Sequence, residues 1–173
     1  MTTPTSQRIH EVWESGFVNR WHSNPCSALR NSQDTTDAHS NRVAKLVIMF
    51  TPLASGFTSD TAMADIMVAC AMHDTPEIFT GDVGNPAKRR NPELKKILKE
   101  VEDKWLSDRG FTLYESKLLK MCDLLDAILF AKKHAPERFK RNDWCVDVQR
   151  CVGWAGKFGL ESLVLELINE ESS

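Results

Sequence analysis

Residues 112–134 read TLYESKLLKMCDLLDAILFAKKH, the longest helical pattern in the chain. Its apolar residues recur at helical spacing, with no strand-like alternation. Thr112-Leu113-Tyr114-Glu115 has the form of a capping box, so the helix is expected to open there and to reach about residue 134. One residue is out of place in it: Asp123 lies in the apolar run LLKMCDLLDAILF, where an unpaired carboxylate is costly. Ser116, Lys120, Asp123 and Ala127 share one face of this helix, so an ammonium and a carboxylate point toward the same place.

The rest of the chain agrees with a helical reading. A short helix is expected over residues 6–15, followed by the irregular stretch NRWHSNPCSALRNSQDTTD. A second helix spans 36–50 and is stopped by Pro52 and Gly56. A third opens at Ser59 or Asp60 as N-cap, sets Met63, Ile66, Met67 and Cys70 at helical spacing, and runs into His73-Asp74. GDVGNPAKRRNP is a loop by its Gly, Asn and Pro content, and Asn91-Pro92 then starts a helix to about Leu106. Two more helices are expected near 141–156 and 158–170. The expected class is all-α, a single domain over residues 1–173, with roughly 6–8 helices of the kind found in bundles.

The totals exclude several classes of function. The chain has 173 residues, 42% of them hydrophobic and 27% charged, as in ordinary soluble globular proteins. Its formal net charge of −2 lacks the positive field of a nucleic-acid binder. The run Lys88-Arg89-Arg90 is a local exception, and Arg89 and Arg90 read as a solvated surface. No apolar run approaches the roughly 18 residues that span a bilayer, and MTTPTSQRIHEVWESG is not a signal peptide. Five cysteines form no CxxC pair; Cys70 and Cys122 sit in apolar helical patterns as small hydrophobes. A reducing compartment, the cytoplasm, is expected, or the host cytoplasm for a viral chain.

His39, His73, Asp74 and Asp123 are the four candidate ligands in the helical segments. Singly, each has a structural explanation: a core histidine, an N-cap aspartate, a paired carboxylate. Together, two imidazoles and two carboxylates suit Zn, Mn, Fe, Co or Ni. Neighbours on a regular helix point about 100° apart, but a helix end lets His73 and Asp74 turn toward one ion.

The order of His39, His73-Asp74 and Asp123 on successive helices resembles the signature of the HD-domain metal-dependent phosphohydrolases. NRWH (19–22), TTDAHS (35–40), HDTPEIFTGDVGNPAK (73–88) and LLKMCDLLDA (118–127) are similar to the bacterial 5′-deoxynucleotidases of that superfamily, and more so to the phage dATP triphosphohydrolases. The resemblance covers roughly residues 16–133. It implies an HD-domain helical bundle, with His39, His73, Asp74 and Asp123 holding a divalent ion, Zn, Co or Mn. A second ion, Mg, would accompany a triphosphate. It implies Glu77 as the catalytic acid, Arg20 on phosphate, Trp21 against the sugar where a 2′-hydroxyl finds no room, and Asp82 in the pocket. Lys88 and Lys120 match lysines that meet phosphate oxygens. Ala38 stands where the 5′-deoxynucleotidases usually carry glutamate, and the segment after residue 133 matches no motif of the family.

The function expected from this resemblance is removal of the 5′-phosphate groups of 2′-deoxynucleotides, first as a dATP triphosphohydrolase giving deoxyadenosine and triphosphate. The alternative is a 5′-deoxynucleotidase acting on dNMPs, and the second alternative a non-catalytic nucleotide-sensing module. Expected partners are the deoxynucleotide and further copies of the chain, without nucleic acid or membrane. Trp13, Trp105, Trp144 and Trp154 fall on apolar helical stripes and are read as core or subunit interface. His10 and His134 are read as surface residues, and His22 as a base or sugar contact.

Overall fold

The computed structural model describes residues 4–22, 24–55, 60–111, 113, 116–140 and 144–170. Helix α1 spans Pro4–Ser15, α2 Ser27–Arg30, α3 Thr36–Phe50, α4 Asp60–Met72, α5 Glu77–Thr80 and α6 Asn85–Arg90. Helix α7 spans Pro92–Ser107, α8 Lys117–His134, α9 Pro136–Lys140, α10 Cys145–Ala155 and α11 Glu161–Asn169. No strand forms among the described residues, and the class is all-α. The helices outnumber the expected range because four of them, α2, α5, α6 and α9, have only four to six residues. Such pieces are too short to carry a readable period.

Helix α8 is the axis of the fold. Its middle, Met121 to Ile128, buries residues on nearly every side, unlike a surface helix, while Lys120 and Lys133 toward its ends are exposed. Val43, Val47 and Phe50 of α3 pack against it, with Ile66, Ala69 and Cys70 of α4. Cys151 and Ala155 of α10 and Val164 and Ile168 of α11 complete this core. The C-terminal segment without a family motif thus supplies two of the helices that bury α8. Each large apolar side chain taken fully out of water there contributes about 1.5–3 kcal/mol.

Local signals explain most boundaries. Thr35 Oγ1 accepts the Ala38 N–H at the start of α3, and Asn91 Oδ1 accepts the Leu94 N–H ahead of Pro92 at the start of α7. Helix α3 ends at Phe50 in a 3-10 turn, Thr51–Leu53, that carries Pro52; Gly56 lies outside the described residues. Ser59 also lies outside them, and Asp60 is the first residue of α4. The long helix starts later than the capping-box reading has it. Thr112 and Glu115 lie outside the described residues, and Ser116 caps α8 by accepting from Leu118 and Leu119 N–H. Trp105 is buried and Trp144 and Trp154 pack against the core, whereas Trp13 is exposed beside Phe17 on the outer face of α1. Among the described residues, no helix is long and apolar enough to cross a membrane.

Candidate active site

Three elements converge on one point. His39 comes from the first turn of α3, His73 and Asp74 from the turn that ends α4, and Asp123 from the second turn of α8. Ligand atoms of His39, His73 and Asp74 lie within 4.8 Å of one another, a group able to hold a metal ion. Asp74 Oδ2 is 3.4 Å from His39 Nε2, and Asp74 Oδ1 is 3.4 Å from His73 Nε2. Asp123 is outside that group of three, yet its Oδ1 is 3.0 Å from His39 Nε2.

The second nitrogen of each ring fixes its tautomer. His39 Nδ1 is 2.7 Å from Asp126 Oδ2, and His73 Nδ1 is 3.0 Å from the Cys70 carbonyl. A carbonyl and a carboxylate only accept, so both Nδ1 atoms donate and the Nε2 lone pairs face the cluster. Both Nε2 atoms are buried without a hydrogen-bond partner among the described residues. Bare nitrogens this close to carboxylate oxygens repel them unless a cation or a proton lies between. The residues therefore fit a divalent ion, with the supporting acceptors such ligands ordinarily have. Without one, His39 takes the proton. Burial works against its charge, but Asp123 and Asp126 outweigh burial and push its pKa up to about 9. The same contact with His39 holds the Asp123 carboxyl well below the usual range, against the desolvation imposed by the surrounding protein.

Beneath the cluster lies a layer built around Asp34, Arg42 and Asp126, none of them among the residues singled out from the sequence. Arg42 donates to Asp126 Oδ1 from Nε at 2.6 Å and to Asp34 Oδ1 from Nη2 at 2.9 Å. Asp34 also accepts the Trp21 indole N–H at 3.1 Å and lies 3.5 Å from Arg20 Nη1. Arg20 Nη1 is 3.7 Å from Asp126 Oδ2. Burial disfavours the Arg20 charge, but Asp74, Asp123, Asp82 and Asp34 together hold it more firmly protonated.

Loop 19–22 carries Arg20 and Trp21 along the start of α3. An antiparallel bridge joins Asn19 to Thr35, and Arg20 N–H donates to the Asp34 carbonyl at 2.8 Å. Trp21 has φ of +65°, rare for a bulky side chain. Asp82 holds it there by accepting the Trp21 backbone N–H at 2.8 Å. The Trp21 ring itself is buried, stacked 5.9 Å from Phe130 and edge-on to Trp144 at 6.0 Å. His22, left open as a base or sugar contact, is exposed with Nδ1 3.1 Å from the Asn19 carbonyl. The His10 and His134 side chains are exposed, as read from the sequence.

Glu77 opens α5 one turn after Asp74, buried, with Oε2 lacking a partner among the described residues. Burial first, then the charges of Asp74 and Asp82, push its carboxyl up to about 9, so it carries a proton at neutral pH. Lys88 on α6 stands close enough for its charge to oppose that shift, and it acts likewise on Glu102. Arg89 is not the solvated side chain read from the sequence. Its Nη1 lies 2.7 Å from Oδ1 of the buried Asp147 on α10.

Lys120 lines a cavity of about 530 Å³ together with His73 and Asp123. Lys99, Glu102 and Asp103 line its other wall, with Lys99 paired to Asp103 at 3.0 Å. The cavity does not include Arg20, Trp21, Glu77, Asp82 or Lys88.

The family model described as 5′-deoxynucleotidase YfbR-like matches residues 16–118, more than half of the chain. The match contains Arg20, Trp21, His39, His73, Asp74, Glu77, Asp82 and Lys88 and stops short of Lys120 and Asp123. Among curated proteins, a 5′-deoxynucleotidase of Pasteurella multocida (strain Pm70) is 27% identical over 137 residues, which cover 67% of this chain and 68% of that one. No solved structure matches at a significant level. With a helical fold, a buried and a half-buried imidazole and an adjoining carboxylate on one cluster, and a family match over that cluster, the chain belongs to the YfbR-like 5′-deoxynucleotidase family of HD-domain phosphohydrolases.

Proposed function

We propose that this chain hydrolyses the 5′-phosphate ester of 2′-deoxynucleoside monophosphates, with a divalent ion held by His39, His73, Asp74 and Asp123. The observation that carries this reading is the pair of bare, buried Nε2 atoms facing Asp74, each ring keyed through Nδ1 to a protein acceptor. The donor set suits Zn, Co or Mn. Such an ion, when bound, acts as Lewis acid and lowers the pKa of its water toward neutrality.

The chain's own residues supply the rest. Water adds to phosphorus as the P–O5′ bond breaks, and the leaving 5′-oxygen needs a proton. Glu77 holds one at neutral pH and delivers it, leaving deoxynucleoside and inorganic phosphate; solvent then reprotonates the carboxylate. Arg20, kept charged by the surrounding carboxylates, offsets charge on the phosphate oxygens, with Lys88 and Lys120 at its margins. Asp82 fixes the Trp21 backbone, and Trp21 is the residue assigned to the sugar.

The chain matches a 5′-deoxynucleotidase family, which favours the monophosphate over the dATP triphosphohydrolase first read from the sequence. The cavity beside the cluster argues the same way. Asp103 neutralises Lys99 there and Glu102 adds another carboxyl, so that wall is not polycationic as a triphosphate tail requires. The triphosphate remains the second reading because Lys88 and Lys120 flank the cluster; a second ion, Mg, would then accompany the substrate. A single domain, cytoplasmic action (in the host if the chain is viral) and self-association through the exposed Ile9, Trp13 and Phe17 belong to the same proposal.

Chromatography of the products from dAMP, AMP and dATP tests it. Deoxyadenosine from dAMP, with AMP untouched, is the expected outcome. Deoxyadenosine with triphosphate from dATP alone supports the second reading, and no turnover with Zn, Co or Mn moves the assignment to a sensing module.

A further inference from the structure

A second concavity opens between α3 and α8, distinct from the cavity that holds His73 and Asp123. Its volume is about 470 Å³, and its lining includes Arg42, Lys45, Asp126, Phe130, Lys133 and His134. That volume suits a nucleotide-sized ligand. Among the described residues Asp126 is the one carboxylate on the lining, and it is already engaged by Arg42 and His39. Lys45 and Lys133 are exposed and form no ion pair with another described residue. A positive groove thus lies on a chain whose net charge is −2.

Exposed lysines on a helix face ordinarily hold only water. Two features set this groove apart. Its wall is partly apolar and rigid: the Arg42 guanidinium lies over the Phe130 ring at 4.9 Å, and His134 stacks on that ring at 4.2 Å. A concave, low-dielectric wall strengthens the attraction of its cations for an anion. The second feature is connection to the metal cluster. Arg42, with 34% of its side chain exposed, donates inward to Asp126 at 2.6 Å, and Asp126 accepts from His39 at 2.7 Å. An anion that draws on the guanidinium from outside competes with Asp126 and Asp34 for it, and so loosens the acceptor that orients His39.

We propose that the groove between α3 and α8 is a second, non-catalytic site for a phosphate-bearing anion, coupled to the metal cluster through Arg42 and Asp126. Occupancy lowers turnover without excluding substrate. The ligand chemistry is a phosphoryl dianion or a chain of them, carried by a nucleotide or by inorganic pyrophosphate.

Calorimetric titration of the full chain with pyrophosphate, and separately with ATP, tests this directly, using wild type, Lys120→Glu and the double variant Lys45→Glu/Lys133→Glu. For at least one probe, wild type is expected to bind two anions per chain. The double variant is expected to weaken one site at least tenfold, to keep its turnover in the absence of added anion, and to lose the non-competitive part of anion inhibition. Lys120→Glu is expected to spare that site. Binding by ATP alone assigns a nucleotide as the ligand, and binding by pyrophosphate assigns the phosphate chain itself. The neutral pair Lys45→Gln/Lys133→Gln carries the same expectation at smaller size should charge reversal disturb folding. A double variant that binds both probes as wild type does, or a wild-type chain with a single site, overturns the proposal. Absence of turnover would sink the catalytic reading and leave this stoichiometry intact.

Discussion

Asp126 backs His39: its Oδ2 accepts the Nδ1 proton at 2.7 Å and leaves Nε2 turned toward Asp74 and Asp123. This carboxylate is buried and three residues beyond Asp123 on the same helix. The ring proposed to meet the ion is therefore aimed by a residue outside the proposed ligand set.

Asp126→Asn keeps the shape of that contact and removes its charge. Loss of such a supporting acceptor typically lowers metal affinity about 10–100-fold. Competition with a chromophoric chelator measures it, alongside circular dichroism to confirm the fold. Unchanged affinity in a folded variant counts against the role given to Asp126.

Arg42 bridges Asp126 and Asp34, whose side chains are 5% and 1% exposed. Arg42→Met leaves both carboxylates short of a cation. Since the Arg42 side chain is itself 34% exposed and partly screened by water, the expected loss is about 2–3 kcal/mol, below the full range for buried pairs. Arg42→Lys recovers only part of this, because an ammonium cannot span both carboxylates as the guanidinium fork does. Urea denaturation gives the values, and a lysine variant as stable as wild type would show that bridging is not what matters.

Glu77 gives a pH dependence with a definite sign. Its folded pKa of about 9 lies above the ordinary 4.5. Its favourable contribution is thus complete below the unfolded value and is lost as pH rises through the folded one. In chelator, wild-type stability is expected to decline between these two pH values more steeply than that of Glu77→Gln. The same variant should lower kcat by about 10²–10⁴-fold if Glu77 delivers the proton. Parallel stability profiles for the two proteins would contradict the raised pKa.

Arg89 and Asp147 tie α6, which carries Lys88, to α10 in the C-terminal segment. Asp147→Asn is expected to raise KM more than it lowers kcat, since it loosens α6, whose Lys88 is proposed to meet phosphate, and leaves the His39–His73–Asp74 cluster alone. Exchange of the two charges, Arg89→Asp with Asp147→Arg, should restore part of the loss. Steady-state kinetics on dAMP decide this, and an exchanged pair no better than either single variant argues against it.

The sequence made the long elements readable because their signals are local. Asn91-Pro92 caps α7 as read, and of the apolar residues spaced along α4, Met63, Ile66 and Cys70 pack into the core. The short helices escaped because four to six residues hold little more than one turn. In the site, the motifs led to His39, His73 and Asp74, which the fold brings together. Asp34, Arg42 and Asp126 were missed, although one signal was present. Asp126 in LLDAILF is a carboxylate inside an apolar run just as Asp123 is, and Arg42 lies one turn from His39. Long-range pairing is what sequence alone withholds: Arg42 meets Asp126 across 84 positions, and Arg89 meets Asp147 across 58.

Phosphate release from dAMP, measured with bound metal before and after chelation in wild type and His73→Ala, decides whether the imidazole–carboxylate cluster is a catalytic metal centre. Wild type is expected to bind a divalent ion, lose turnover in chelator and regain it with Co or Mn, while the folded variant has neither tight binding nor turnover. Turnover that survives complete chelation, or a folded His73→Ala chain that still hydrolyses dAMP at the wild-type rate, would contradict that expectation.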